Sequence, residues 1–322
     1  MNVDTGLTAM KADPHFLWLG AGVGGVLVVA SIIGAVLAAT VTTEKGKGTV
    51  ANLNARTRAW WIMVLVFGGA LMGGRMTVVV LFGLLSWLGL REFLTLTPTR
   101  RGDHRALFWA FFVITPAQYY FVGVEWYGMF SIFVPVWAFL FLPVRAAMAG
   151  DCDHFLERAS KTQWGLMACV YCLSYAPALL SLPIAGYEGH NAKLLVFLVA
   201  ITQMSDVLQY VWGKSIGRHK VAPKVSPGKT WEGLIGGVLT ASALGASLWW
   251  ATPFKPWQAG LIALAITIAG FFGGLVMSAI KRDRGVKDYG VLIEGHGGVM
   301  DRMDSLVFAA PVFFHIVRFW WT

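Results

Sequence analysis

QAGLIALAITIAGFFGGLVMSAI (258–280), KRDRGVKDYGVLIEGHGGVMDRMD (281–304) and SLVFAAPVFFHIVRFWW (305–321) follow one another without interruption. The outer two runs are apolar and each is long enough to cross a bilayer. A segment in lipid must satisfy its own backbone hydrogen bonds, so both are read as helices. The block between them is of another kind. It sets Lys281, Arg282, Lys287 and Arg302 beside Asp288, Asp301 and Asp304, with His296 among glycines. In a chain this apolar, such a block at a membrane edge points to polyanion chemistry.

The same pattern runs outward to the N-terminus. Apolar runs fall near 15–41, 59–74, 76–96, 106–122, 126–144, 163–183, 192–212 and 234–251, before the two already quoted. The expectation is an all-α polytopic membrane protein with ten transmembrane helices, or nine if the short second run merges with the third. Hydrophobic residues make up 57% of the chain and charged ones 13%, about half the charge of a soluble domain, which excludes that class. Most of the 26 Lys and Arg fall in alternate loops, at 45–58, 100–105, 145–161, 214–229 and 281–302. The positive-inside bias makes those loops cytoplasmic and puts both termini outside. Merging the second and third runs would move the first basic loop outside, so ten is the expected count. The first run lacks a basic leader and is too long for a signal-peptide core, and is read as a retained span.

No repeat, low-complexity tract or soluble domain stands out, so 1–322 reads as one integral-membrane unit. Residues 1–190 supply N-terminal spans, and 191–322 supply catalytic spans with cytoplasmic loops 213–231 and 281–303. The net charge of +9 is assigned to anionic lipid headgroups and a phosphorylated substrate rather than to nucleic acid. Cys152, Cys169 and Cys172 give neither a disulfide framework nor a metal spacing.

Asp301 and Asp304 lie three apart where the last helix should begin, so their carboxylates share a face. Hard oxygen ligands so placed suit magnesium, which completes its shell with water and substrate phosphates. Gly295, Gly297 and Gly298 let the backbone approach a phosphate, and the helix start offers N–H donors. The loop 213–231 carries five cations around Ser226-Pro227-Gly228-Lys229-Thr230 and reads as an anion cradle. Its Gly-Lys-Thr is no Walker site, because Pro223 stands where that pattern needs glycine. Asp206 lies inside a span, where an ionisable group is costly. It either adds a carboxylate to a metal site or pairs with a cation of the next loop. Arg91 and Glu92 either pair locally or anchor a lipid headgroup, and the local pair is the preferred reading.

Taken together, Ser278-x-Ile280-Lys281-Arg282, Lys287-Asp288-x-Gly290 and His296-Gly297-Gly298-Val299-x-Asp301-Arg302-Met303-Asp304 resemble the signature of the CDP-diacylglycerol synthases, or phosphatidate cytidylyltransferases. Ser226-Pro227-x-Lys229-Thr230-Trp231-Glu232-Gly233 is similar to that family's second motif. The likeness covers residues 206–305. It implies a nucleotidyltransferase that joins CTP to phosphatidic acid in phospholipid biosynthesis, with Mg2+, in a bacterial inner membrane, its active site facing the cytoplasm. It further implies Asp301 and Asp304 as metal ligands and Asp288 as a further active-site carboxylate, and Asp206, at the matching acidic span end, is the candidate third ligand by its own position. Lys281, Arg282, Lys287 and Arg302 would hold phosphates beside His296, with Ser226, Lys229, Thr230, Glu232 and Ser278 lining the pocket. A second cation and a homodimer stay open. The alternatives are a CTP-dependent enzyme acting on another lipid, or a lipid-binding or transport homologue with weakened catalysis. Three positions depart from the family pattern: Gly274 and Met277 stand where it has Asp and Glu, and Glu294 where it has Pro. Asp206, Asp288 and Glu294 are the acids at hand to make up the set.

Overall fold

The computed structural model describes residues 14–293, Gly295 and 297–322. Among these residues ten helical segments succeed one another: α1 Pro14–Thr40, α2 Glu44–Met72, α3 Arg75–Thr95, α4 Arg101–Gly123, α5 Tyr127–Ala147, α6 Phe155–Ser181, α7 Ala192–Ser215, α8 Trp231–Ser247, α9 Pro256–Asp283 and α10 Met300–Trp321. Eight of these, among the described residues, are long and apolar enough to cross a membrane; α2 and α8 fall short by that measure. The protein is an all-α polytopic membrane protein, as its apolar runs predict.

The second helix differs most from expectation. Residues 59–74 are only its far part, and α2 starts at Glu44. Polar residues such as Asn52, Asn54, Arg56 and Arg58 carry no apolar signal, yet nothing among them breaks a helix. The backbone therefore continues past the apolar run as a polar extension. The first helix rests against it: Trp61 Nε1 donates to Ser31 Oγ at 3.0 Å. Most of the remaining face of α1, including Trp18, Val26, Ile32 and Val36, is exposed, as suits a lipid-facing helix.

The core lies among α3, α4, α6, α7, α9 and α10, where Phe82, Leu90, Cys169, Leu173, Leu198, Ile266, Val307 and Phe313 are buried. Small residues bring the catalytic helices together, since polar and dispersion contacts replace the hydrophobic drive inside lipid. A Cβ at Gly273 of α9 would meet Asp304 O of α10 at 2.9 Å, and one at Gly237 of α8 would meet Gln209 of α7 at 2.4 Å. The close approach at Gly273 sets the neighbouring position 274 against the first turns of α10.

The only sheet among the described residues is a hairpin, β1 Lys220–Ala222 with β2 Ser226–Thr230, antiparallel in register Lys220↔Thr230 and Ala222↔Ser226. The sequence analysis reads this stretch as an anion cradle and assigns it no strands. Three residues opposite five, around prolines, leave too little alternation to show as strands in the sequence.

Candidate active site

Four elements meet near Gly274. A Cβ placed there would lie 3.1 Å from Lys229 Nζ, 3.4 Å from Ser305 Oγ and 3.9 Å from Asp304 Oδ2. Ser305 Oγ donates to Asp206 Oδ2 at 2.9 Å and lies 3.5 Å from Asp304 Oδ1. One hydroxyl thus stands between two carboxylates, from α7 and α10, with the β2 lysine alongside. Asp206 is half-buried; it shares Ser305 with Asp304, and Lys229 of the next basic loop lies near both carboxylates.

Lys229 reaches this point by crossing the Phe271 ring, its Nζ 4.4 Å from the centroid, and donating to Phe271 O at 3.1 Å. Burial pushes its ammonium below the ordinary lysine value. Asp206 and Asp304 pull the other way, and the charge of Lys281 pushes with burial. Thr230 and Glu232, expected in the pocket lining, are used differently. Thr230 Oγ1 accepts from Gly233 N at 3.1 Å and caps α8. Glu232 accepts from Arg218 N at 3.1 Å and contacts His219 Nδ1 at 2.6 Å. Its own backbone N–H and then the His219 ring hold this carboxyl down to about 2. Ser226 is paired with Ala222 in the hairpin. Arg282 joins the two loops, since its Nε donates to Val225 O at 3.2 Å.

Asp301 is fully engaged. Lys281 Nζ donates to its Oδ1 at 2.7 Å, while Tyr289 N and Gly298 N donate to Oδ2 at 2.7 and 2.9 Å. The pair is buried, the Asp301 side chain 3% exposed. Ser278 Oγ donates within its own helix to Gly274 O at 2.7 Å. Met277 is buried at 0% and receives the Tyr289 hydroxyl on its carbonyl at 3.0 Å, so an apolar side chain suits that position. Lys287 and Asp288 are exposed on the rim. Arg302 is partly buried, and its Nε finds no partner among the described residues. His296 and Glu294 lie outside the described residues.

Two features were not legible in sequence. The N–H groups at the head of α10, expected to face a phosphate, are already taken: Val299 N and Met300 N donate to Glu92 Oε1 and Oε2 at 3.0 and 2.9 Å. Glu92 is therefore not the local partner of Arg91. A Cβ at Gly298 would fall 2.3 Å from Glu92 Oε2, so that glycine makes room for a carboxylate of α3 rather than for a substrate. The second feature is Arg56, whose Nε donates to Gly295 O at 3.0 Å. An acid at the end of a span was the one available signal for Glu92; Arg56 gave none.

The cluster's donor set is oxygen only. Two carboxylates meet at one hydroxyl, and magnesium commonly takes one or two carboxylates with the rest of its shell from water and phosphate. The residues present fit that ion, although no group of three His, Cys, Asp or Glu converges among the described residues.

The cytidylyltransferase family model matches residues 54–320. The chain belongs to that family. It is 43% identical over 296 residues to the uncharacterized protein YnbB of Escherichia coli (strain K12), covering 91% of this chain and 95% of that one. To a phosphatidate cytidylyltransferase of Staphylococcus aureus (strain COL) it is 28% identical over 274 residues, 81% of this chain and 97% of the other. A phosphatidate cytidylyltransferase of Brucella abortus (strain 2308) is 42% identical over 134 residues, 41% of this chain and 49% of that one. This cytidylyltransferase is a nucleotidyltransferase embedded in a membrane.

Proposed function

We propose that the enzyme joins CTP to phosphatidic acid. A phosphate oxygen of the lipid attacks the α-phosphorus of CTP, the bond from that phosphorus to the bridging oxygen breaks, and pyrophosphate leaves as CDP-diacylglycerol forms. The observation that carries this reading is the meeting of Lys229, Asp304 and Ser305 beside Gly274, with Asp206 held through Ser305. Such transfers depend chiefly on positioning and charge neutralisation.

Lys229 and Arg302, whose Nε has no partner among the described residues, offer cationic donors to phosphate oxygens beside Asp206 and Asp304, and Lys287 and Arg282 meet the triphosphate at the rim. A buried donor without a partner is costly, and an incoming phosphate would satisfy it. Asp304 and Asp206 would hold magnesium, which supplies charge neutralisation of the triphosphate when bound. Asp301, engaged by Lys281 and two backbone N–H groups, fixes the loop that carries Lys287 and Asp288. Ser305 orients both carboxylates, its hydroxyl donating to Asp206 and its backbone N–H to Asp304. The loops 213–231 and 281–303 share one end of the helical bundle and belong to the Lys- and Arg-rich side. That supports an active site facing the cytoplasm of a bacterial inner membrane, where CTP is found.

The test is detergent-purified protein with phosphatidic acid and labelled CTP, with and without magnesium. Magnesium-dependent release of pyrophosphate is expected, and Asp304→Ala should reduce it about a thousandfold with the protein still folded. Release of CDP would mark a lipid kinase instead. Lipid binding without release of either product would mark a homologue that has lost catalysis.

A further inference from the structure

The catalytic loop 281–303 is braced from outside the catalytic helices. Glu92, at the end of α3, spends both carboxylate oxygens on consecutive N–H groups, Val299 and Met300, where α10 begins. Val299 is the residue before the helix and Met300 its first, so the carboxylate grips the turn from which Asp301 and Asp304 project. Two glycines leave the space: a Cβ would meet Glu92 Oε2 at 2.3 Å from Gly298, or Oε1 at 2.8 Å from Gly290. The Tyr289 ring stacks on Phe93, the next residue of α3, with centroids 6.1 Å apart. Tyr289 N in turn donates to Asp301.

We propose that Glu92 is a positioning residue for nucleotidyl transfer, fixing the rotation and depth of the first turn of α10 so that Asp304 meets Ser305, Asp206 and Lys229. It touches no substrate and acts through that turn. A carboxylate accepts an N–H on each of its two oxygens, which an amide of the same shape cannot, because one of its two terminal atoms is a donor. With Gln at 92 one oxygen keeps its donor, and the –NH2 group faces the other N–H. Small displacements of a catalytic group cost rate steeply, while Lys229, carried by the separate hairpin, keeps its place for phosphate binding. This inference rests on the active-site reading above.

The experiment compares Glu92→Gln, Glu92→Asp, Glu92→Ala, Gly298→Ala and the double variant Glu92→Ala with Gly298→Ala. Pyrophosphate release and thermal unfolding in detergent are followed, and hydrogen exchange is measured on the peptide spanning 286–304. Glu92→Gln should lower kcat about tenfold or more while KM for CTP stays within about threefold. Exchange at Val299 and Met300 should quicken about tenfold. Glu92→Asp, one methylene short, should fall between. Gly298→Ala should harm the parent protein and add little once Glu92 is Ala, because the two then no longer compete for space. A kcat within about twofold of the parent in folded Glu92→Gln overturns the proposal. So does a loss of kcat that only follows the loss of folded protein, or additive effects of the Glu92 and Gly298 changes. If the parent releases no pyrophosphate from CTP with phosphatidic acid, the substrate reading fails instead. The brace is then judged by exchange alone, and unchanged exchange in Glu92→Gln rejects it.

Discussion

The two cytoplasmic loops are built on opposite plans. Loop 213–231 is tied chiefly to itself: a short hairpin, Thr230 capping the helix that follows, and Glu232 reaching back to Arg218 and His219. Loop 281–303 has little regular structure among its described residues and is held by others. Lys281 and Asp301 cross it with a buried pair, Glu92 and Arg56 grip it from the N-terminal half, and Arg282 fastens it to the hairpin. One loop is a self-supporting cradle that delivers a lysine. The other is a set of charges whose placement depends on the whole bundle. A self-tied loop tolerates the loss of any one of its own bonds better than a loop hung from a few outside struts.

The sharpest way to break that contrast is Lys281→Ala. It leaves Asp301 as a buried carboxylate without its cation, which costs about 3–5 kcal/mol. The thermal midpoint in detergent should fall and turnover should collapse. A fully stable, active variant would show that the downstream loop needs no such pair.

Lys229 gives the next effect, and it concerns pH. Burial lowers the pKa of this ammonium, so as pH rises it loses its charge before an ordinary lysine would. The part of CTP affinity that rests on that charge is full at neutral pH and declines on the alkaline side. A profile of kcat/KM for CTP should show this decline, and Lys229→Arg should move it upward by about one pH unit or more, since guanidinium keeps its proton. An unmoved alkaline limb would take Lys229 out of phosphate binding.

Smaller still is Thr230→Val, which deletes the cap of α8 within the self-supporting loop. About 1 kcal/mol of stability should go, with turnover changed by less than about threefold. Smallest is Gly274→Asp, where the new carboxylate enters beside Lys229 and Asp304. If Asp206 already completes the acid set, activity and the magnesium needed for half-maximal rate should stay within about threefold. A marked gain would show that the set was short by one acid.

The sequence made the spans legible because lipid imposes length and apolarity on every crossing, and the charge of the loops sorted them into two sides. It also singled out Asp206, Lys229 and Asp304, which the structure brings together although about a hundred positions separate the first from the last. What it did not show was how the polar groups divide the work. Asp301, Thr230 and Glu232 carry motif-like residue types, yet their partners are backbone N–H groups, a buried lysine or the His219 ring. Pairing of that kind depends on distances set by packing, and no spacing along the chain encodes it. Glu92 and Arg56 were hidden for the same reason, since their partners lie more than 200 positions away.

The grip of Glu92 on the head of α10 has a bearing on recombination. A chimera that imports residues 192–322 from a relative brings the acids and cations of both loops but leaves the α3 carboxylate behind. Halves of such enzymes should be interchangeable only when the acid on one and the glycine that admits it on the other travel as a matched set.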